Sequence, residues 1–297
     1  MAMFKRISLF LITNVLVLVT VSIAFSIIAH FFGLNQSANY MTYTLVFCAV
    51  WGMGGAFISL FISKWMAKRA MGVQIIDQNV RDPQLREVVE MVHNMSRRAG
   101  LPKMPEVGVY DSPEINAFAT GPSKSNSLVA VSTGLLRAMN KEEVEGVIGH
   151  EVAHIANGDM VTMTLIQGIV NAFVMFFARI LANVISSQVD ERYRGIVHLG
   201  LVIVLDIVFA ILGSVVVNYF SRQREFRADH GGAKYAGREK MIAGLVKLKN
   251  QFQMIEPDNG GTATLKISNK SSGIMALFST HPSLDERIRR LERASIS

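Results

Sequence analysis

Four long runs in this chain are almost wholly apolar, and the polar segments between them carry shorter periodicities. Residues 7–32 and 41–63 hold no charge over about 26 and about 23 positions, each enough for a helix to cross a hydrocarbon core. Residues 160–187 and 196–220 are similarly long with one charge apiece, Arg179 and Asp206, and predict two further spans. In the first polar segment Asp82 and Pro83 start a helix in which Leu85, Val88, Val89, Val92 and Met95 recur at helical spacing until Gly100 and Pro102. Three β-type stretches follow at 106–110, 116–120 and 128–132, separated by Asp-Ser-Pro and Gly-Pro-Ser turn signals, and predict a small sheet. Asn140 then caps a helix with Glu142 and Glu143 in its first turn, where negative charge suits the dipole, and Gly158 ends it. Residues 256–272, rich in Gly, Ser, Thr and Asn, predict a mobile loop. Ser283 and Glu286 form a capping-box pattern ahead of Leu284, Ile288 and Leu291.

These elements predict an α+β protein, mainly helical and integral to a membrane. Hairpins at 1–69 and 160–220 hold four hydrophobic helices, and one soluble unit is assembled from 70–159 and 221–297 around a small β-sheet. Composition agrees, since half of the 297 residues are hydrophobic. A net charge of +7 can signal nucleic acid, but Lys5, Arg6, Lys64, Lys68 and Arg69 flank the spans, where the positive-inside rule reads them as topology signals. No nucleic-acid partner is therefore expected, and a lipid bilayer is. The N-terminus and the soluble unit are placed in the cytoplasm, and residues 33–40 and 190–195 outside. The first run is about twice the length of a signal-peptide core, so it is read as retained. Cys48 is the only cysteine and lies within the second span, which excludes an intrachain disulfide.

Chemistry concentrates in His150-Glu151-Val152-Ala153-His154. On a helix, residues four apart share a face, so two imidazoles can grip one ion. Glu151 is rotated about 100° from His150, within reach of a water on that ion without ligating it. A catalytic zinc site takes three protein ligands and keeps one open position. The third is sought in Ser221-Arg222-Gln223-Arg224-Glu225-Phe226-Arg227-Ala228-Asp229. There Glu225 and Asp229 share a helix face, Glu225 as ligand and Asp229 as acceptor for the outer N–H of a ligand histidine. The other reading makes this segment a solvated, salt-bridged helix, and spacing alone leaves both open.

The pairing of His-Glu-x-x-His with a downstream Glu-x-x-x-Asp behind a hydrophobic hairpin resembles the HtpX family of membrane gluzincin peptidases. The likeness extends through two leading hydrophobic segments, Asn116-Ala117-Phe118-Ala119, the His150 motif, residues 221–229, and His281-Pro282-Ser283 ahead of Arg287. It implies a gluzincin-type zinc peptidase domain with one Zn2+ on His150, His154 and Glu225, Glu151 as general base, and ATP-independent proteolysis of misfolded or damaged membrane proteins at the cytoplasmic face of a bacterial inner membrane, as part of a stress response. Unfolded polypeptides and membrane proteins are the implied substrates.

In that mechanism zinc lowers the pKa of water to about 7, Glu151 takes the proton, and the peptide carbonyl is attacked while polarised by the metal. His281 or Arg287 is expected to donate to the developing oxyanion. Asn116, at an edge strand, is expected to line the substrate cleft. His154 and Glu225 lie only some five or six positions from apolar runs, which puts the metal on the order of 10 Å from the bilayer at the helical rise and favours membrane-tethered substrates. Arg179 and Asp206 are expected to pair within the membrane. His30, His93, His198 and His230 are read as interfacial or surface residues. A CaaX-type prenyl endopeptidase is the alternative among enzymes, although four spans are fewer than that family's seven; a scaffold or chaperone with a vestigial zinc site is the alternative among non-enzymes.

Overall fold

The computed structural model describes residues 2–34, 40–77, 79–255 and 279–295; the predicted loop at 256–272 lies outside the described residues. Two long helices come first, α1 (Ala2–Phe31) and α2 (Tyr40–Ala70), then β1 (Gln74–Ile75), α3 (Pro83–Arg98), β2 (Glu106–Tyr110), β3 (Ala117–Ser123), β4 (Asn126–Ser132) and α4 (Thr133–Ala138). They are followed by α5 (Lys141–Asn157), α6 (Asp159–Ser186), α7 (Glu191–Ala236), α8 (Arg238–Ile255) and α9 (Leu284–Arg293). The chain forms two compact units, residues 1–60 with 162–217, and 61–161 with 218–297.

In the first unit the helices turn large apolar side chains outward. Ile203, Val204, Ile207 and Ile211 are each more than half exposed on α7, a surface that suits lipid and not water. Among the described residues α2, α6 and α7 are long and apolar enough to cross a bilayer, and the apolar stretch described within α1 is Val15–Phe31. Arg179 Nη1 lies 3.6 Å from Asp206 Oδ1, so the two charges within the predicted spans do face each other.

The second unit is built on local signals that behave as their chemistry dictates. Asp82 accepts from the backbone N–H of Gln84 at 2.8 Å with Pro83 at the first helical position, which satisfies a donor that the helix leaves over. Asn140 and Glu143 exchange bonds of 3.0 and 2.8 Å in a capping box. At α9 only the Ser283 half of the expected box is in place: its hydroxyl accepts from Glu286 N at 3.2 Å, while Glu286 Oε1 is taken by Arg290 one turn on. The four-stranded sheet has the order β1-β2-β4-β3. β2 runs parallel to β4, and β1 and β3 are antiparallel edges. β1 escapes sequence reading because two residues show no alternation, and β3 starts one residue after Asn116.

The core fixes the orientation of α5. Ile148, Val152 and Ile155 are fully buried among residues of α3 and β4, each contributing roughly 1.5–3 kcal/mol by removal from water. At 100° per residue these three span about 60° of the helix, and His150 and His154 fall roughly 200–240° round from Ile148. Burying the apolar stripe therefore turns both imidazoles toward the opposite side, where α7 passes. Gly158, in the left-handed region at φ 71°, ends α5 and lets α6 start at once at Asp159.

Candidate metal centre

Three side chains converge between α5 and α7. His150 Nε2 and His154 Nε2 are 3.0 Å apart, and Glu225 places Oε2 3.5 Å from the first and Oε1 3.5 Å from the second. Glu225 is a large polar side chain only 2% exposed. Its position on α7 is made possible by small residues at the crossing. A Cβ added to Gly231 would meet Cβ of Ala153 at 2.7 Å, and one on Gly232 would meet the backbone nitrogen of His150 at 2.9 Å.

Each imidazole has a carboxylate behind it. His150 Nδ1 lies 2.9 Å from Asp229 Oδ1, and His154 Nδ1 lies 2.7 Å from Asp159 Oδ2. An Nδ1–H donated to a carboxylate leaves Nε2 with its lone pair. Arg287 Nη2 is 3.3 Å from the same His150 nitrogen, but a guanidinium only donates, so Asp229 is the partner of that N–H. Two Nε2 lone pairs and a carboxylate thus point at one place, an arrangement that repels itself unless a cation or a proton sits there.

The electrostatics report the same strain. Burial disfavours a charged imidazole, yet Asp159, Glu225 and Glu151 outweigh it and lift His154 to about 9. Burial would raise Glu225, but His150, His154 and His281 hold it far below the usual carboxylate range. Asp229 is likewise held low against its burial by Arg287 and His150. A dication answers all of these demands together. Tetrahedral zinc with bonds of about 2.0–2.1 Å requires ligand atoms about 3.3 Å apart, and the separations here are 3.0, 3.5 and 3.5 Å. Among the described residues this is the group of His, Cys, Asp and Glu side chains able to hold an ion.

The remaining predicted residues fall around this centre. Glu151 follows His150 on α5 and is half-buried, and its charge is felt by His154 and Arg287. His281, exposed, brings Nδ1 to 3.1 Å from Glu225 Oε2. Arg287 is buried; it grips both oxygens of Asp229 and brings Nη1 to 3.5 Å from Glu225 Oε2, so its donors face the protein's own carboxylates. Asn116 is exposed at the start of edge strand β3, its backbone fixed by Ser132: Asn116 N donates to Ser132 Oγ at 3.2 Å and Ser132 N to Asn116 O at 2.9 Å. His230 is exposed and does not join the cluster. Sequence reasoning missed Asp159 and the support that Arg222 gives the His281 segment through Ser279 O at 2.8 Å. An Asp opening a new helix reads as a dipole partner; only its place five residues after His154 was a clue.

The profile described as Peptidase family M48 matches residues 80–295. Similar relatives include a protein named Protease HtpX homolog from Bacillus licheniformis, 54% identical over 97% of this chain and 99% of its own length. A Bacillus subtilis protein of the same name is 53% identical over 98% and 99%, and Protease HtpX of Aeromonas hydrophila is 50% identical over 97% and 99%. In fold, the crystal structure of S. mikatae Ste24p is similar with a TM-score of 0.63 at 17% identity, covering 97% of this chain and 66% of that one.

Proposed function

Because the chain belongs to peptidase family M48, a family of metallopeptidases, and carries helices apolar enough to span a membrane, we propose that it is a zinc endopeptidase acting on membrane proteins and unfolded polypeptides. The observation that carries the reading is the convergence of His150 Nε2, His154 Nε2 and a Glu225 oxygen pair at 3.0–3.5 Å with both outer nitrogens bound to carboxylates. The donor types favour zinc among the common divalent ions.

In this reading His150, His154 and Glu225 hold the ion. When bound, it supplies Lewis acidity, acidifying water and polarising a peptide carbonyl. Glu151 takes the proton from the attacking water and returns it to the nitrogen of the scissile amide as that bond breaks. The substrate lies extended along β3, an edge strand, with Asn116 at its start; backbone pairing there makes recognition tolerant of side-chain identity. His281, exposed and beside Glu225, donates to the oxygen on which negative charge develops. Arg287 supports Asp229, and Asp229 orients His150.

Chain order supports action near the bilayer, since Glu225 follows the apolar run ending at 220 by five residues. The Lys and Arg clusters flanking the first two spans support a topology with the N-terminus and the peptidase unit, residues 70–159 and 221–297, on the cytoplasmic side of the membrane. Quality control of damaged membrane proteins fits that position. Purified protein is expected to hold one zinc per chain and to cleave a membrane substrate in liposomes. Glu151→Gln is expected to keep the zinc and lose cleavage, whereas Glu225→Ala loses both. Equal cleavage by the parent and Glu151→Gln would remove the proposed mechanism.

A further inference from the structure

Asp159 occupies a place that neither the HExxH pattern nor the Glu225-to-Asp229 pattern assigns. It is the first residue of α6, yet its carboxylate does not face solvent as a helix-dipole partner would. The residue is 1% exposed, Oδ2 stands 2.7 Å from His154 Nδ1, and Oδ1 has the Arg227 guanidinium at 3.6 Å. Arg227 lies on α7, two residues after Glu225. A single carboxylate thus touches the ring of one ligand histidine and a side chain on the helix that carries the carboxylate ligand.

On the reading that His150, His154 and Glu225 bind zinc, we propose that Asp159 is a positioning residue that fixes the tautomer and tilt of His154, as Asp229 does for His150. The physical need is the same on both sides. An imidazole turns about its side-chain bonds and exists as two tautomers; only the one protonated at Nδ1 offers Nε2 to the ion. A buried acceptor 2.7 Å from Nδ1 selects that tautomer and stops the rotation, and it also makes Nε2 a better donor. The two supports differ in how they are held. Asp229 is gripped at both oxygens by a buried Arg287, whereas Asp159 has the mostly exposed Arg227 at a longer distance. Its position is set chiefly by the backbone, through the left-handed Gly158 that turns α5 into α6. The predicted span α6 therefore begins on the residue that orients a metal ligand.

The test measures zinc affinity of the full-length protein in detergent micelles by competition with a chromophoric chelator, with unfolding of the zinc-free forms followed alongside. Asp159→Ala is expected to weaken zinc binding by roughly 10- to 100-fold, the usual size of such support. Asp159→Asn, whose amide oxygen still accepts from Nδ1–H, is expected to fall between Asp159→Ala and the parent, and it serves if the alanine variant does not fold. The zinc-free unfolding midpoint of Asp159→Asn is expected to stay near the parent's. Zinc affinity within twofold of the parent in both variants would overturn the proposal, as would a stability loss equal with and without zinc, the mark of a purely structural residue. A parent protein that binds no zinc would instead overturn the metal reading itself.

Discussion

Arg287 closes on Asp229 with two hydrogen bonds, Nη2 to Oδ1 at 2.6 Å and Nε to Oδ2 at 2.8 Å, and both side chains are buried. The pair joins α9 to α7 directly behind His150. Removing one member of a buried pair leaves the other charge uncompensated, which costs about 3–5 kcal/mol. Arg287→Met is therefore expected to lower unfolding stability by an amount of that order and to reduce zinc content, because Asp229 no longer stands at His150 Nδ1. Arg287→Lys is expected to recover only part, since an ammonium cannot reproduce the two-pronged contact. Denaturant unfolding and zinc analysis of the purified variants decide it. Full stability and zinc with impaired turnover would reassign the guanidinium to the substrate.

Gly232 sets the distance between the helices that carry the ligands. Its missing Cβ would come within 2.9 Å of His150 N and 2.8 Å of Met241 Sδ. The methionine can move aside, but the nitrogen belongs to α5 and can only shift with the helix. Gly232→Ala is expected to cost about 1–3 kcal/mol by overpacking and to lower zinc affinity by drawing Glu225 away from the imidazoles. Gly200→Ala on the same helix, where a Cβ meets nothing within 4 Å, is the control and should bind zinc like the parent. Equal zinc affinity in the two variants would show that the crossing has slack.

What the sequence disclosed follows the range of the interactions. His150 and His154 were legible as a pair because one helical turn fixes their relation. The caps at Asp82 and Asn140 were legible because a cap is decided within four residues. Glu225, 71 positions beyond His154, had no such local relation, and only the resemblance to a peptidase family singled it out from a charged helix. Asp159 was hidden because its partner depends on the backbone reversal at Gly158. β1 was hidden because two residues carry no period. The expectation that His281 or Arg287 donates to the oxyanion rested on the family-like setting of these residues, and the direction of the Arg287 donors could come only from three-dimensional packing.

His93 on α3 provides an acid sensitivity separate from the metal centre. Burial lowers its pKa from the ordinary 6.5, with Arg97 adding to the effect and the Pro105 backbone carbonyl opposing it. The fold therefore prefers the neutral ring. That preference contributes fully above the unfolded-state value and is lost as pH falls through the lower folded value. His93→Gln, which cannot titrate, is expected to flatten the decline in stability below about pH 6.5 relative to the parent. Comparing unfolding midpoints of the two proteins at pH 7.5 and pH 5 isolates this effect, because zinc loss on acidification is common to both. A pH dependence identical in variant and parent would show that His93 does not contribute.

Arg179 and Asp206 allow a prediction about order of damage within the first unit. The two are 3.6 Å apart, and the arginine has further partners: Nη1 donates to Met175 O at 3.0 Å, and the guanidinium stands 5.4 Å from the centre of the Phe47 ring. Asp206 Oδ1 is buried with no hydrogen bond among the described residues. Losing the arginine thus strips the carboxylate of its ionic partner, while losing the aspartate leaves the guanidinium with a carbonyl and a ring. A charge held in a hydrocarbon environment without compensation costs at least about 2.5–3.5 kcal/mol on insertion scales. Arg179→Leu is therefore expected to be the most damaging change, Asp206→Leu milder, and the double Leu variant close to the parent, as measured by membrane yield and by thermal unfolding in micelles. If the double variant is as unstable as Arg179→Leu, or is stable but inactive, the pair does more than cancel its own desolvation, and a role for these charges toward water or substrate follows.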